Sequence, residues 1–235
     1  MSDQITTVSV FKSGSLWGNV KGFFAVAEAW LKLSKTKGQV FFKVMGVGKP
    51  GFDPLPDWST YMHVQIWKNE AAAEEFFQNN RFHNKLKSSA QEHKVIYLRN
   101  IKARGLWAGK NPFEESIHLD PDNEWIYVIT RARIKLGYLK RFWDYVPHSQ
   151  KGLYENEDLV FTAGVGEWPV THMATMSLWK SANGLKKFAY RGKNHRDAIQ
   201  QTQALQWYAE ELFSRFQPYK IRGNWKSLST PEDLR

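Results

Sequence analysis

Cysteine is absent from the 235 residues of this sequence. Its absence excludes disulfide bonds, protein-ligated iron–sulfur clusters, thiolate nucleophiles and haem with a thiolate ligand. A metal ion bound by this chain would therefore have histidine, carboxylate or tyrosine ligands.

Long apolar segments are missing as well. No run approaches the roughly 20 apolar residues of a membrane span. The opening residues, MSDQITTVSVFK, lack the basic and then apolar pattern of a signal peptide. We expect a soluble, cytoplasmic protein, with peripheral contact at the inner membrane left open.

Acidic residues are in deficit, with 23 Asp and Glu against 33 Lys and Arg, and the net charge is +10. This excess favours an acidic partner, such as an anionic membrane surface, an acidic electron carrier or nucleic acid. The alternative is a generally basic surface with no dedicated partner. Nucleic acid ranks last, because the aromatic residues occur at core spacing and no contiguous basic stripe accompanies them.

The signatures of several enzyme classes are also lacking. The sequence has no HExxH or GxSxG motif, so zinc hydrolysis and serine-based acyl transfer have no support. The GVG segments at residues 46–48 and 164–166 lack the GxGxxG dinucleotide pattern. We interpret their glycines as turns.

The chain contains two similar copies of one long segment. VFFKVMGVG at residues 40–48 returns as LVFTAGVG at residues 159–166. The offset is 112 residues at two of three landmark pairs (179 − 67 and 195 − 83) and 118 at the third (225 − 107). Two long copies are too few for a solenoid, so we interpret them as a duplicated domain. The landmark pairs are Trp67 and Trp179, His83 and His195, and Trp107 and Trp225.

Strands and helices follow one order in each half. In the second half, WIYVITRARI at 125–134 predicts a strand, and LGYLKRFWDYVP at 136–147 predicts a helix. Two strands follow, then a helix that Ser181 caps and that we expect to run to about Phe216, and a short closing strand. This β-α-β-β-α-β order is the ferredoxin-like unit.

The two units divide the chain. A loop rich in proline and acidic residues at 111–123 separates a first repeat, residues 1–112, from a second, residues 113–235. One unit alone leaves a sheet face bare, and two units can cover these faces by packing together. We therefore predict an α+β fold in which two ferredoxin-like repeats form a single-chain dimeric α/β barrel, with a cavity between the sheets.

Alternation along the strands predicts which side chains line that cavity. If Met62, Val64 and Ile66 meet the helices, their neighbours face inward, and that face is too polar for an ordinary core. We interpret it as a ligand pocket; the alternative is a solvated interface between the sheets. The predicted lining is Tyr61, His63, Gln65 and Trp67, then Tyr127, Ile129, Arg131 and Arg133, and finally Met173, Thr175, Ser177 and Trp179.

His195 is the leading candidate for a cofactor ligand. It lies on the apolar stripe of the predicted long helix, where a histidine is more often a core residue than a ligand. Gly192, just before it, permits close approach of a cofactor. His172 is the alternative ligand, and His63 is a candidate hydrogen-bond donor to bound oxygen or substrate.

Arg131 is the most informative charge. An arginine on an inward strand face is costly unless an anion pairs with it. Its partner is either an acid of this chain, such as Glu167 or Asp144, or a bound anionic group.

Six segments, spread over most of the chain, carry a resemblance to a known family. They are ARGLWAGKNPF (103–113), TRARI (130–134), RFWDYVP (141–147), FTAGVGEWP (161–169), LKKFAYRGKNHRDAI (185–199) and WYAEELFSRF (207–216). Together they resemble the spheroidene monooxygenase family. The resemblance implies a haem-dependent monooxygenase that oxidises C2 of acyclic carotenoids with dioxygen and electrons from a reduced ferredoxin.

The resemblance also implies roles for the candidate residues. More distantly similar haem proteins, such as dye-decolourising peroxidases and aldoxime dehydratases, place a proximal histidine in the second unit, which makes His195 the ligand of a haem b iron. Arg131 and His63 would act on the oxygen side of the haem. An apolar channel for the carotenoid would be lined by Tyr61, Trp67, Met173 and Trp179.

Two other functions are compatible with the same fold. One is a haem-free, barrel-type monooxygenase that uses the same cavity. The other is a carotenoid or lipid carrier without catalysis, which needs no buried histidine or arginine. The sequence makes no prediction of the oligomeric state.

Overall fold

The fold is a closed barrel of eight antiparallel strands. The computed structural model describes residues 2–15, 24, 28–53, 55–150, 153–168, 170–188 and 206–224. The strands are β1 (Ile5–Lys12), β2 (Gln39–Gly48), β3 (Pro56–Trp67), β4 (Glu92–Gly105), β5 (Ile126–Ile134), β6 (Leu159–Trp168), β7 (His172–Trp179) and β8 (Tyr208–Asn224). The helices are α1 (Glu70–Asn79), α2 (Arg81–Ser89), α3 (Leu139–Ser149) and α4 (Ala182–Lys186), with a 3₁₀ turn at Leu136–Tyr138 and helical residues 28–33.

The order of strands around the barrel is β1-β3-β2-β6-β7-β5-β8-β4, and β4 pairs with β1 to close it. The first four strands of the chain are therefore contiguous, and so are the last four. Two seams join these halves, one between β2 and β6 and the other between β4 and β8. The predicted barrel is thus present.

The duplicated GVG segments meet at the first seam. Gly46 pairs with Gly166, and Val47 pairs with Val165. These glycines lie within strands, so their interpretation as turns is wrong. Gly164 instead admits a neighbouring side chain, because a Cβ there would lie 2.8 Å from the ring of Phe52.

The second seam shows the duplication in its backbone. Gly105 has a φ angle of +93° and Gly223 one of +98°, both in the region that favours glycine. A side chain on Gly105 would collide with the carbonyl oxygen of Glu211, and one on Gly223 with that of His93. Both pairs are related by the offset of 118 residues (223 − 105 and 211 − 93).

The helix predicted to continue to Phe216 is wrong in its last part, because residues 208–224 form β8. Leu212, Ser214 and Phe216 are buried and alternate with more accessible residues, as expected of a strand with one face on a core. Apolar residues at 209, 212 and 216 also fit helical spacing, which explains the error.

The barrel interior is the main hydrophobic core. One cluster of buried side chains takes members from all eight strands, and only the inside of the barrel brings all eight together. Met62, Val64 and Ile66 belong to this cluster. The prediction that they meet the helices is therefore wrong, and the predicted cavity between the sheets is filled with side chains.

Helices cover the outer faces of the barrel. Asn69 caps α1 by accepting from Ala72 N, and Ser181 caps α4 by accepting from Gly184 N, as predicted for Ser181. Within the described part of the chain, none of these helices is long and apolar enough to cross a membrane.

A tryptophan packs against a phenylalanine on each outer face. The Trp67 and Phe76 rings lie 5.0 Å apart, and the Trp179 and Phe188 rings lie 5.6 Å apart. The two pairs are related by the offset of 112 residues (179 − 67 and 188 − 76). The sequence repeat is therefore matched by side-chain packing at these positions.

Candidate functional site

A large pocket lies on the outer face of the second-half sheet, under α3 and α4; we call it the second-half pocket. Two rows of cross-strand neighbours form its floor, because directly paired residues in an antiparallel sheet share a face. The first row runs across five strands through Lys102, Arg215, Val128, Ser177 and Thr162. The second row runs through Arg104, Phe213, Thr130, Thr175 and Gly164.

The walls of the pocket are largely aromatic and aliphatic. Trp207 is buried, and its ring lies 5.9 Å from Phe142 and 6.0 Å from Tyr145, both on α3. Leu185 and Phe188 close the side formed by α4. The pocket encloses about 1350 Å³.

Hydroxyl groups line the centre of the floor. Thr130, Thr175 and Ser177 face the pocket, and Ser177 Oγ accepts a hydrogen bond of 2.8 Å from Trp179 Nε1. Thr162 Oγ1 is buried and has no hydrogen-bond partner among the described residues. A buried hydroxyl in this state costs free energy, so it indicates a place for a polar group of a ligand or a water.

A smaller cavity of about 330 Å³ lies at one end of the barrel; we call it the barrel-end cavity. Arg131, 3% exposed, is bound there between two acids. Its Nε donates to Glu167 Oε1 at 3.2 Å, and its Nη1 donates to Glu210 Oε1. Lys43 Nζ lies 2.6 Å from Glu167 Oε2, and Trp107 Nε1 donates to Glu167 Oε1 at 2.7 Å. Glu167 is one of the two acids, with Asp144, that the sequence suggested as a partner for Arg131.

Glu210 faces both cavities. Burial alone would raise the pKa of its carboxyl group. Hydrogen bonds from the backbone N–H groups of Gly109 and Ala108, together with Arg131, outweigh that effect and lower the pKa. Glu210 is therefore ionised at neutral pH and fixed in place by three donors.

His172 lines the barrel-end cavity and not the second-half pocket. Burial, followed by the charge of Arg131, lowers the pKa of its imidazole. Its Nδ1 lies 3.0 Å from Thr171 Oγ1. The side chain is therefore neutral at pH 7 and held by a neighbouring hydroxyl.

The first-half residues that were predicted to line a cavity lie on the outer face of their own sheet, which corrects the prediction. Trp67 is buried under α1 and donates from Nε1 to Thr7 Oγ1 at 2.8 Å. His63 packs against Phe11, with 5.0 Å between the ring centroids. Tyr61 is on the same face by alternation. None of the three lines either cavity. Both faces of this sheet are buried, and the polar face is the outer one.

His63 and His93, with His83 of α2, gather around Phe11. Burial lowers the pKa of His63 to about 4, that of His83 to about 3 and that of His93 to about 4, with smaller contributions from their charged neighbours. The described residues contain no group of three or more His, Asp or Glu placed to hold a metal ion. These histidines therefore act as neutral core residues.

The structure thus separates the predicted site residues. Met173 and Trp179 line the second-half pocket, but Arg131 lies on the opposite face of the same sheet. The predicted ligand, His195, lies outside the described residues.

Several pocket residues were missed by sequence reasoning. Lys102, Arg104 and Arg215 lie on β4 and β8, and the prediction of a helix through residue 216 hid their cross-strand relationship. The repeated KARG and KIRG segments were the available signal, because they place two basic residues at equivalent positions of both halves.

Comparison with known proteins identifies close relatives. A spheroidene monooxygenase from Rhodobacter capsulatus is 33% identical over 79% of this chain and 78% of that protein. The chain belongs to the spheroidene monooxygenase family. Members from Cereibacter sphaeroides and Rubrivivax gelatinosus are 33% and 28% identical, over 79% and 80% of this chain and 58% and 72% of their own lengths. No protein-family model matches the chain.

Solved structures agree with the barrel fold of this spheroidene monooxygenase family member. An aldoxime dehydratase in complex with butyraldoxime has a TM-score of 0.63 at 10% identity, covering 92% of this chain and 79% of that one. A second aldoxime dehydratase structure has a TM-score of 0.61 at 12% identity, covering 92% and 81%. At these identities the likeness concerns the fold alone.

Proposed function

We propose that this protein is a haem-dependent monooxygenase that oxidises C2 of an acyclic carotenoid such as spheroidene with dioxygen, in the second-half pocket. The observation that carries the proposal is the pocket, which encloses about 1350 Å³ between aromatic walls and a hydroxyl-bearing floor. Ordinary small-molecule sites enclose roughly 300–1,000 Å³, so there is room for a cofactor and part of a long substrate. Family membership supports a carotenoid substrate.

Haem b is the proposed cofactor, and the described residues fit it. Trp207 and Phe142 offer an apolar wall for a flat ring system, and the orphaned Thr162 hydroxyl offers a hydrogen bond. A bound haem would supply the dioxygen activation that oxidation of an unactivated carbon requires. The chain itself would hold the cofactor, exclude water and orient the carotenoid along the aromatic wall.

His195 is the proposed iron ligand. Phe188 and Gln206, the described residues on either side of the range that contains it, both line the pocket. Its repeat mate, His83, is buried in the first half with its ring 5.4 Å from that of Phe76. Since Phe76 is the counterpart of Phe188, the repeat mate of His195 contacts the counterpart of a pocket residue, which supports the choice of His195.

Arg131 enters the proposal as a positioning residue. It orients Glu210, which faces both the second-half pocket and the barrel-end cavity. His63 has no part in it, because it lies in the first half of the chain under α2.

A ferredoxin-like origin of both halves is also proposed, with the repeats at residues 1–112 and 113–235. The neighbour orders β4-β1-β3-β2 and β8-β5-β7-β6 support it, because they are the same order in the two halves. In this proposal the first repeat supplies half of the barrel and the β4 part of the pocket floor, and the second repeat supplies most of the remaining pocket lining.

A reduced ferredoxin is the proposed electron donor. Ferredoxins of this kind are acidic, and the net charge of +10 favours docking by charge. The rate of electron delivery would then fall with increasing ionic strength.

Peripheral contact with a membrane is proposed for uptake of the lipid-soluble substrate. Leu136 is 76% exposed and Trp168 is 67% exposed. They lie at the same end of the barrel, because Ile134 N donates to Thr171 O at 2.9 Å. Lys135, at the edge of the pocket, provides a positive charge for anionic head groups.

The first test is an absorption spectrum of the protein expressed with a haem precursor, recorded as isolated and after dithionite and carbon monoxide. We expect a Soret band that shifts on reduction and again with carbon monoxide, and that His195→Ala loses while the fold persists. His172→Ala is the matched control, and we expect it to retain the band. Loss of the band in His172→Ala alone would overturn the ligand assignment.

Product analysis separates the remaining functions. If no Soret band forms under haem-sufficient conditions, the haem assignment fails. Spheroidene presented in detergent with dioxygen and a reductant then distinguishes the alternatives. Oxidised product without haem identifies a haem-free monooxygenase, and unchanged but bound carotenoid identifies a carrier.

A further inference from the structure

Two basic residues near the end of β4 recur near the end of β8. Lys102 and Arg104 correspond to Lys220 and Arg222 at the offset of 118 residues that relates the two strands (220 − 102 and 222 − 104). Each pair lies on the outer face of the barrel, across the seam from its own half. Lys102 and Arg104 of β4 line the second-half pocket, and Lys220 and Arg222 of β8 lie beside α1 in the first half. Their surroundings differ.

In the first half, acids of α1 neutralise the pair. Lys220 Nζ donates to Glu70 Oε1 and Glu74 Oε1, both at 2.8 Å, and Arg222 Nη1 donates to Glu74 Oε2 at 2.5 Å. Two carboxylates thus satisfy these two cations.

In the second half, the equivalent acids are missing. Helix α4 is the counterpart of α1, and both begin at the same position of the repeat, Ala182 and Glu70 (182 − 70). The counterpart of Glu74 is Lys186 (186 − 74). The two carboxylates of one half are therefore replaced by a methyl group and a further positive charge.

A fourth cation joins this side of the pocket. Arg215 pairs directly with Lys102, whereas Lys220 pairs with Tyr97 at the equivalent place. Directly opposite side chains lie roughly 5 Å apart at Cβ. We call Lys102, Arg104, Lys186 and Arg215 the basic edge; all four line the second-half pocket, and within the described ranges none has an ion pair.

We propose that the basic edge is a dicarboxylate-binding site, at which two carboxylates of the ligand take the place that Glu70 and Glu74 fill in the first half. The inference deepens the proposed function and rests on it for the identity of the ligand, a haem with two propionate groups. The apolar wall would hold the ring system while the basic edge binds the carboxylates. Four cations that have no ion pair among the described residues, at the side of a pocket with aromatic walls, favour such a ligand over a purely apolar one.

Binding of metal-free protoporphyrin IX and of its dimethyl ester tests the site without any iron ligation. Affinities are measured by quenching of tryptophan fluorescence. For the wild-type protein we expect the diacid to bind roughly ten- to hundredfold more tightly than the ester, as the loss of charge-assisted hydrogen bonds requires. In Lys102→Ala/Arg104→Ala this ratio is expected to fall towards one.

A second variant places the first-half acids in the second half. Ala182→Glu/Lys186→Glu would supply internal carboxylates to the basic edge, and we expect it to lose the preference for the diacid. The matched control is Lys220→Ala/Arg222→Ala, which alters the equivalent pair beside α1. It is expected to keep the preference for the diacid over the ester. Thermal melts show whether each variant folds. If Ala182→Glu/Lys186→Glu does not fold, the ratio of affinities measured for Lys102→Ala/Arg104→Ala decides whether the site exists.

The outcomes separate this inference from the proposed function. Equal affinity of the wild-type protein for diacid and ester, or no porphyrin binding, overturns the dicarboxylate site. Haem that binds with a Soret band but without any preference over its dimethyl ester also overturns the site and leaves the haem assignment intact. Tight binding of the diacid, together with no Soret band from the protein expressed under haem-sufficient conditions, supports the site and removes the haem assignment.

Discussion

Gly105 and Gly223 occupy equivalent places at the seam between β4 and β8, and at each the opposite strand passes where a side chain would lie. Both have positive φ angles, so replacement brings backbone strain as well as a clash. We expect Gly105→Ala to lower the free energy of unfolding by about 2 kcal/mol or more. Urea denaturation measures the change.

Gly46→Ala is the matched control for that substitution. Gly46 also lies at a seam, but a Cβ there would have no atom within 4 Å. We expect a change of less than about 0.5 kcal/mol. Equal effects of the two substitutions would contradict the close approach of β8 to Gly105.

Removal of the Arg131 side chain would leave two carboxylates without their shared partner. Arg131→Leu is expected to lower the free energy of unfolding by about 3 kcal/mol, because Glu210 would keep only backbone donors and Glu167 would keep only Lys43 and Trp107 among their described partners. Lys140→Ala, which breaks an exposed pair with Asp144, is the control and is expected to have no measurable effect. A stable Arg131→Leu protein would show that the network relaxes or takes up water.

The buried histidines of the first half predict a pH dependence of stability. The pKa of His63 is lowered to about 4 by burial, whereas an unfolded histidine titrates near 6.5. The unfolded chain therefore binds more protons below pH 6.5, and stability falls as the pH drops towards 4, by about 1.4 kcal/mol per pH unit for each such histidine. His63→Leu is expected to flatten the slope between pH 6 and 5 by that amount, as measured by urea denaturation. An unchanged slope would contradict burial of a neutral imidazole.

Adjacent residues of β5 point to the pocket and to the core. Thr130→Phe is expected to abolish ligand binding while the protein remains folded, because Thr130 faces open space in the second-half pocket. Ile129→Phe overpacks the barrel interior, where Ile129 is fully buried, and is expected to cost about 1–3 kcal/mol without filling the pocket. Carotenoid or porphyrin titration together with thermal melts distinguishes these results.

Leu136 and Trp168, which are exposed at the same end of the barrel, predict lipid binding. Flotation with anionic phosphatidylglycerol vesicles is expected to be strong for the wild-type protein and several-fold weaker for Leu136→Glu/Trp168→Glu. Trp30→Glu, at a residue that is 63% exposed among the helical residues 28–33, is the control. Equal loss with the control would indicate general charge attraction and no dedicated surface.

Much of the element order was predictable because most strands carry a local signal, although the first part of β8 was predicted as a helix. The strand from residue 125, the cap at Ser181 and the strands around Trp67 and Trp179 were all recognised from alternation and capping residues. The duplication then made a barrel the natural arrangement. Family membership followed from segments spread over most of the chain.

Which face of each strand is inside was not predictable from alternation. His63, Gln65 and Trp67 are buried on one face of β3, and Met62, Val64 and Ile66 are buried on the other. When both faces are covered, polarity does not identify the inner one, since a small barrel fills its interior with apolar side chains and leaves the polar positions to the helices. The basic edge depended on strand register, which only the three-dimensional fold supplies.

Closure of the barrel has a consequence for how the protein unfolds. Each half depends on the other at two seams, so a chain cut near residue 112 would give two pieces that each have a pair of open edges. Open edges add strands from other molecules and lead to aggregation. Despite its duplicated sequence, we therefore expect the protein to unfold as a single cooperative unit, in which neither repeat melts before the other.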